Sequence, residues 1–287
     1  MKKNIYILFL IINLLLGQIV FAQKIILPYR EIAGVPIVKI NIDNDAYNFV
    51  FDTGATQTII DSTLSNNLQI IDSSTVIGIY GAKRQLVKVR LSGIKIDETT
   101  FKPLAVSVLN LKTLNKNICK IHLDGILGID IMEGYFIEID SKNQMIKFYN
   151  PKKFDKKKLN GFIKSNYWYG PLAKLKVNGK KHNVLFDTGS ASVLNLAPQK
   201  KLLKYAEDHP HITAYSSGGI GLYGKDHHIA KSYKVDTLHI KFGGWFNHIF
   251  LPSSPASVNP DASIDNMGFQ YIKQFHVFLD QDRKSVV

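Results

Sequence analysis

Apolar residues along this chain recur at every second position in short runs, and each run is closed by Gly, Asn, Asp or Ser. That period sends successive side chains to opposite faces of an extended segment, so it predicts β-strands. Residues 38–51, "VKINIDNDAYNFVF", read as a strand, a polar turn at Asn44–Asp45 and a second strand. Residues 173–186, "AKLKVNGKKHNVLF", read the same way around Asn178–Gly179, which predicts a hairpin in each place. In both, alternation ends in three consecutive apolar residues, Phe49-Val50-Phe51 and Val184-Leu185-Phe186, as a buried strand would. Helical periodicity is brief, near 61–68, 128–134, 197–207 and 268–274. The prediction is a mostly β protein.

The two hairpins are one pattern written twice. A fixed offset of 135 lays residues 173–190 over 38–55 without a gap, with Pro171 over Pro36 and Leu175 and Val177 over Ile40 and Ile42. Further on, "IYGAKRQLVKV" (79–89) resembles "LYGKDHHIAKS" (222–232). "LGIDIMEGYFIEID" (127–140) lies over "MGFQYIKQFHVFLD" (267–280) at an offset of 140. Three landmarks in the same order mean internal repetition. The expected organisation is two similar β lobes, 23–153 and 154–287, each a β barrel, with the lysine-rich "NPKKFDKKKLNG" (150–161) as a solvated link. Residues 23–33 are expected to form at most a short edge strand, which leaves little room for an inhibitory pro-segment.

The first residues stand outside that pattern. "MKKNIYILFLIINLLLGQIVFAQ" has two lysines, an apolar stretch and a Val-Phe-Ala end, the layout of a secretory signal peptide over 1–22 cleaved after Ala22. An uncleaved membrane anchor is the rival reading, since the apolar run is near the lower spanning limit. Export to the periplasm or the medium is the expectation. The single cysteine, Cys119, excludes an intrachain disulfide and is read as a core residue. A net charge of +13 raises the question of nucleic acid, but apart from 150–161 the lysines are scattered, so no nucleic-acid partner is expected.

Both buried strands run into Asp-Thr-Gly, at Asp52-Thr53-Gly54-Ala55 and Asp187-Thr188-Gly189-Ser190. An ionised, unpaired carboxylate in such a place costs several kcal/mol. One Asp-Thr-Gly is accounted for by a turn, with Asp bonding its own backbone and Gly taking a positive φ. Two copies with the same apolar approach ask for more. If the lobes are related by a pseudo-twofold axis, Asp52 and Asp187 meet across it. Two carboxylates at close range share one proton. The ionised member then takes a proton from water while the protonated member polarises a carbonyl.

This doubled motif resembles the active-site signature of the aspartic peptidases of the pepsin and retroviral-protease group, in a single-chain bacterial form. The resemblance implies two pseudo-twofold-related β lobes with a cleft between them, and an endopeptidase with Asp52 and Asp187 as its catalytic pair. It implies that Thr53 and Thr188 interlock beneath the pair and that Gly54 and Gly189 allow close backbone approach, with Ala55 and Ser190 completing the turns. "GILG" (125–128) and "NMG" (266–268) resemble the segments that pack behind each turn, which places Leu127, Gly128, Met267 and Gly268 there. Tyr80 and Gly81, and by repetition Tyr223 and Gly224, match a flap hairpin over a bound peptide. Residue 55 is Ala where pepsins carry a hydroxyl, so a donor to the ionised carboxylate is absent and a working pH less acidic than that of gastric pepsin is expected.

Other features add little chemistry. The histidines of "DHH" (226–228), taken with His211 or His239, lack the spacing of metal ligands, so no metal and no cofactor are expected. "GGIG" (218–221) has no lysine-serine after it and is read as an entry to a hairpin. Trp168 and Trp245 are read as packing residues. The expected partner of this monomer is a peptide or protein substrate, with no stable membrane insertion after cleavage of the leader. The alternative function is a non-catalytic peptide- or envelope-binding protein of the same fold, which a missing aspartate or motif glycine would favour.

Overall fold

The computed structural model describes residues 24–77, 83–118, 121–155, 163–166, 170–177, 180–197, 204, 208, 211–217, 220–221, 224–225, 229–235, 240–242, 246–249, 256–258, 264–280 and 285–286. These are mostly β, with two short 3-10 turns and two short helices. Among them no helix is long and apolar enough to cross a membrane. The expected signal peptide, Cys119, Trp168, Trp245, His239 and residues 226–228 lie outside the described residues.

The repeat in the sequence is a repeat in strand pairing. In the first half Val35–Ile42 pairs antiparallel with Asp45–Phe51, which pairs parallel with Gly125–Leu127. In the second half Leu172–Val177 pairs antiparallel with Lys180–Asp187, which pairs parallel with Asp265–Gly268. Ile59–Asp61 runs antiparallel to Gly125–Leu127, as Leu194–Leu196 does to Asp265–Gly268. The hairpin of Ile70–Ile77 with Lys83–Leu91 has its mate in His211–Ser217 with Ile229–Val235. The first hairpin turns at Asp43, whose φ is +55°, one residue before the turn expected from the sequence.

A closed barrel is not what these pairings build. Val35–Ile42 bonds along different stretches to Lys24–Ile32, Asp45–Phe51 and Ile94–Ile96, so the sheet branches. Leu172–Val177 likewise bonds to three strands. A strand shared among three partners opens the sheet into layers, which corrects the expected barrels.

The N-terminal segment is also more than a short edge. Lys24–Ile32 is a nine-residue strand whose first part pairs with Met145–Tyr149 and whose last part pairs with Val35–Ile42. It thereby links the first lobe to a sheet that joins the two halves. That sheet is antiparallel in the order Ile163–Asn166, Ser285–Val286, His276–Asp280, Phe136–Asp140, Met145–Tyr149, Lys24–Ile32. Three strands come from each half, and Glu138 stands opposite Phe278, its own repeat-mate. The pseudo-twofold axis passes there.

The apolar triplets are explained by what lies on each side of their strand. Phe49 and Phe51 enter the main core while Val50 enters a second apolar cluster with Val35, Ile37, Ile59 and Ile126. A strand covered on both faces has no solvent side and so loses its alternation. Phe51 and Phe186 are nearly without exposure, and each such side chain contributes about 1.5–3 kcal/mol. Burial of these strands fixes the position of Asp52, the residue after Asp45–Phe51, and of Asp187, the last of Lys180–Asp187.

Candidate active site

Each Asp sits where its strand stops, and the next residues turn back sharply. In the first turn the amides of Gly54 and Ala55 donate to Asp52 Oδ1 at 2.8 and 3.1 Å. The same turn is closed by Ala55 N to Asp52 O, matched by Ser190 N to Asp187 O. Behind it, Asp52 N donates to Leu127 O and Ile129 N to Ala55 O, and in the second half Phe269 N donates to Ser190 O.

The two turns are locked to each other by their threonines. Thr53 Oγ1 donates to Phe186 O at 2.6 Å and Thr188 Oγ1 donates to Phe51 O at 2.6 Å. Each hydroxyl also accepts the other's amide: Thr53 N to Thr188 Oγ1 at 3.0 Å, and Thr188 N to Thr53 Oγ1 at 3.1 Å. Both threonines are buried, so all four bonds lie out of water's reach.

The glycines set the separation of the carboxyl groups. A Cβ on Gly54 would stand 2.7 Å from Asp187 Cγ, and one on Gly189 would stand 2.3 Å from Asp52 Cγ. Each carboxyl therefore rests against the backbone of the opposite turn, which only a residue without a side chain permits. Behind the turns, a Cβ on Gly128 would meet the Gln57 backbone at 2.5 Å and one on Gly268 would meet Ser192 O at 2.2 Å. Leu127 and Met267 beside them are fully buried.

Electrostatics separates two otherwise similar groups. Burial pushes Asp52 up, while Asp187 and the amides of Gly54, Ala55 and Gly189 pull it back, leaving it above the usual carboxylate range. Asp187 is pushed well above that range by burial first and then by the charge of Asp52, opposed by Asn266 and the Gly189 amide. Both acids are thus raised, Asp187 the more strongly, as two close carboxyl groups that resist double ionisation must be.

A family model described as aspartyl protease matches residues 38–131. Over that segment the chain is similar to aspartyl proteases. No curated protein matches the chain. The aspartyl protease match contains the first hairpin, the Asp52 turn and Gly128, and it ends before Asp187. The second carboxylate enters through the repeat described above.

Of the residues singled out in the sequence, Asp52, Thr53, Gly54, Ala55, Asp187, Thr188, Gly189 and Ser190 come together in the paired turns, with Leu127, Gly128, Met267 and Gly268 behind them. Tyr80, Gly81 and Tyr223 lie outside the described residues, and Gly224 lies in the short strand Gly224–Lys225. Ser190 Oγ faces Ser192 Oγ at 2.8 Å.

Sequence reasoning passed over Asn266, Ser192 and Asp130. Asn266 Nδ2 donates to Asp187 Oδ2 at 2.9 Å, and Asn266 Oδ1 accepts from Ser192 Oγ at 2.9 Å. Asp130 takes both the amide and the hydroxyl of Thr58, at 2.7 and 2.6 Å, and so ties the 3-10 turn Ile129–Met132 to the loop that follows Asp52. For Asn266 a signal was present: under the offset of 140 it stands where the first half has the apolar Ile126.

One group of side chains among the described residues has the spacing of cation ligands: Glu138, Asp140 and His276, with ligand atoms within 4.8 Å. The cation there is Lys147, whose Nζ lies 2.5 Å from Glu138 Oε1 and 2.6 Å from Asp140 Oδ2. Tyr149 donates to the other Glu138 oxygen. This cluster belongs to the sheet joining the halves.

Proposed function

We propose that this protein is an exported aspartic endopeptidase, hydrolysing peptide bonds with a water activated by Asp52 and Asp187, which share one proton. The observation that carries this reading is the placement of each carboxyl against the opposite turn's glycine, which brings two buried acids into one site. Asp52, supplied with amide donors, is the general base. Asp187, held protonated by burial and by the neighbouring charge, is the general acid.

The steps follow from those roles. Asp52 takes a proton from a water bound between the acids as the water oxygen attacks the scissile carbonyl carbon. Asp187 gives its proton to the carbonyl oxygen, forming a neutral gem-diol. Return of a proton from Asp52 to the amide nitrogen, with transfer of a hydroxyl proton to Asp187, breaks the C–N bond and restores the starting state. The threonine lock limits drift between the acids, which matters because proton transfer requires hydrogen-bond distance. Export is supported by the leader-like residues 1–22. The missing hydroxyl at Ala55 and the upward push on both acids support a working pH above that of gastric pepsin.

The test is cleavage of a mixed peptide library by purified residues 23–287 from about pH 3 to about pH 8, with Asp52→Asn and Asp187→Asn beside it. Loss of cleavage in both variants, and inhibition by a statine-type compound, is the expected result. Cleavage surviving either substitution would overturn the shared-proton mechanism. Peptide binding without cleavage by the unaltered protein would make it the non-catalytic binder instead.

A further inference from the structure

The two catalytic turns share a backbone frame but not their surroundings. Positions occupied by Ala55, Gln57 and Ile126 in the first half are Ser190, Ser192 and Asn266 in the second. Ile126 is buried and apolar; Asn266, equally sequestered at 1% exposure, must find partners for its amide. It has them on both ends. Ser192 Oγ donates to Asn266 Oδ1, so in its contact with Ser190 Oγ the donated proton comes from Ser190. Ser190 to Ser192 to Asn266 to Asp187 is then a one-way relay, each member giving one hydrogen to the next. The relay fixes which end of the amide faces Asp187.

That orientation has a consequence for the acid. An N–H donor prefers the carbonyl-type oxygen of a carboxyl group to its hydroxyl oxygen, so with Asp187 Oδ2 occupied, Oδ1 is the oxygen better placed for the proton. Asp52 has no such partner from its own half, because its mate position is Ile126. We propose that Asn266, oriented by Ser192 and Ser190, is a positioning residue that breaks the symmetry of the pair: by occupying Oδ2 of Asp187 it leaves Oδ1 as the oxygen that meets the shared proton. The catalytic meaning of this rests on the peptidase reading; the proton's position does not.

Among the described residues, other charges do not compete for this role. Asp52 is the charged group facing Asp187. Asp265, the neighbour of Asn266, faces His182 Nδ1 at 2.8 Å and the amide of Ala197 at 2.7 Å. The short helix Phe269–Ile272 behind the turn brings Tyr271, which burial keeps neutral, and Gln270, which reaches Gly34 O.

The test uses residues 23–287 with Asn266→Leu, which restores the apolar character of the first half, and Ser192→Ala, which frees the amide to rotate. Asn266 donates to Asp187 and so favours its ionised form; removing the donor makes the second ionisation of the pair harder. The alkaline limb of the pH–rate profile is expected to rise by roughly one pH unit in Asn266→Leu, and the acid limb to move less. Turnover is expected to fall about tenfold with little change in KM, as when a proton is misplaced while substrate binding stays intact. Ser192→Ala should shift the same limb in the same direction by less. A second readout needs no activity: carbon-13 NMR titration of labelled aspartate carboxyls, with the Asp187 signal identified by its disappearance in Asp187→Asn. An upward shift of that titration in Asn266→Leu is expected even if the unaltered protein cleaves nothing, an outcome that would overturn the peptidase reading alone. An unshifted Asp187 signal in a folded Asn266→Leu would overturn the positioning role. If that variant does not fold, an unshifted signal in Ser192→Ala overturns it.

Discussion

At the scale of single residues, the site is held by groups that have no substitute of similar size. Thr188 Oγ1 serves two buried backbone groups at once, donating to Phe51 O and accepting from Thr53 N. Valine fills the same space and serves neither. Thr188→Val is expected to lower stability by roughly 1–3 kcal/mol, read from the urea midpoint, because buried polar groups are left without partners. Asp187 behaves in the opposite sense. Its folded pKa lies above the unfolded value of 3.8, so the uncharged form is the one that folding favours. That contribution is fully present below the unfolded pKa and is lost as pH rises through the folded one. Asp187→Asn is therefore expected to abolish cleavage while melting at or above the unaltered protein's temperature at neutral pH. A fall in melting temperature there would contradict the burial argument.

At the scale of elements, each half depends on a strand threaded behind its Asp-Thr-Gly turn. Gly268 ends the strand Asp265–Gly268 and begins the helix Phe269–Ile272 with φ −83°, so ordinary backbone is tolerated and space is the constraint. A Cβ would meet Ser192 O at 2.2 Å and Ser190 O at 2.8 Å, both backbone atoms. Gly268→Ala is expected to cost on the order of 1–3 kcal/mol as overpacking and to lower turnover by displacing the loop that carries Ser190 and Ser192. Thermal melting and single-turnover cleavage check the two parts separately. The sequence disclosed these elements unevenly. Period-2 alternation marked the hairpins, and the apolar triplets marked their covered ends. The helix Lys112–Ile118 escaped notice because "KTLNKNI" carries too few apolar positions to show a helical face; its start is marked by Asn110 Oδ1 accepting from Lys112 N.

At the scale of the whole molecule, the halves meet in a sheet where Phe136–Asp140 pairs with His276–Asp280 on one side and, on the other, with Met145–Tyr149, whose Lys147 completes the Glu138–Lys147–Asp140 cluster. Burial opposes the charge on Asp140, but hydrogen bonds from Asn143 and Lys147 outweigh it and hold the group at about 2. A folded pKa below the unfolded 3.8 gives stability that is present above 3.8 and lost as pH falls through about 2. Glu138 is lowered in the same way by Lys147, Tyr149 and His276 against its burial. Lys147→Met leaves two buried carboxylates without their cation and is expected to cost about 3–5 kcal/mol at neutral pH. The deficit should narrow as pH falls below about 4, where the freed carboxylates take up protons. Denaturant melts across pH check this, and a deficit independent of pH would show that packing, not charge, holds the cluster.

The sequence by itself determined the doubling, the hairpins, the covered strands and the two acids at their ends. Those are local or periodic properties: a strand buried on both faces must be apolar at consecutive positions, and a carboxylate placed after it twice requires a shared cause. Only the tertiary structure decided what each group faces. That Thr53 bonds Phe186, that Glu138 stands opposite Phe278, and that Asn266 rather than Ser190 reaches Asp187 are contacts between residues far apart in the chain. A period of two reports that a position is covered but not by what, because the covering residue comes from another strand. The pseudo-twofold axis brings those strands together, and the few positions where the repeat is broken, Asn266 for Ile126 above all, make the two acids unlike.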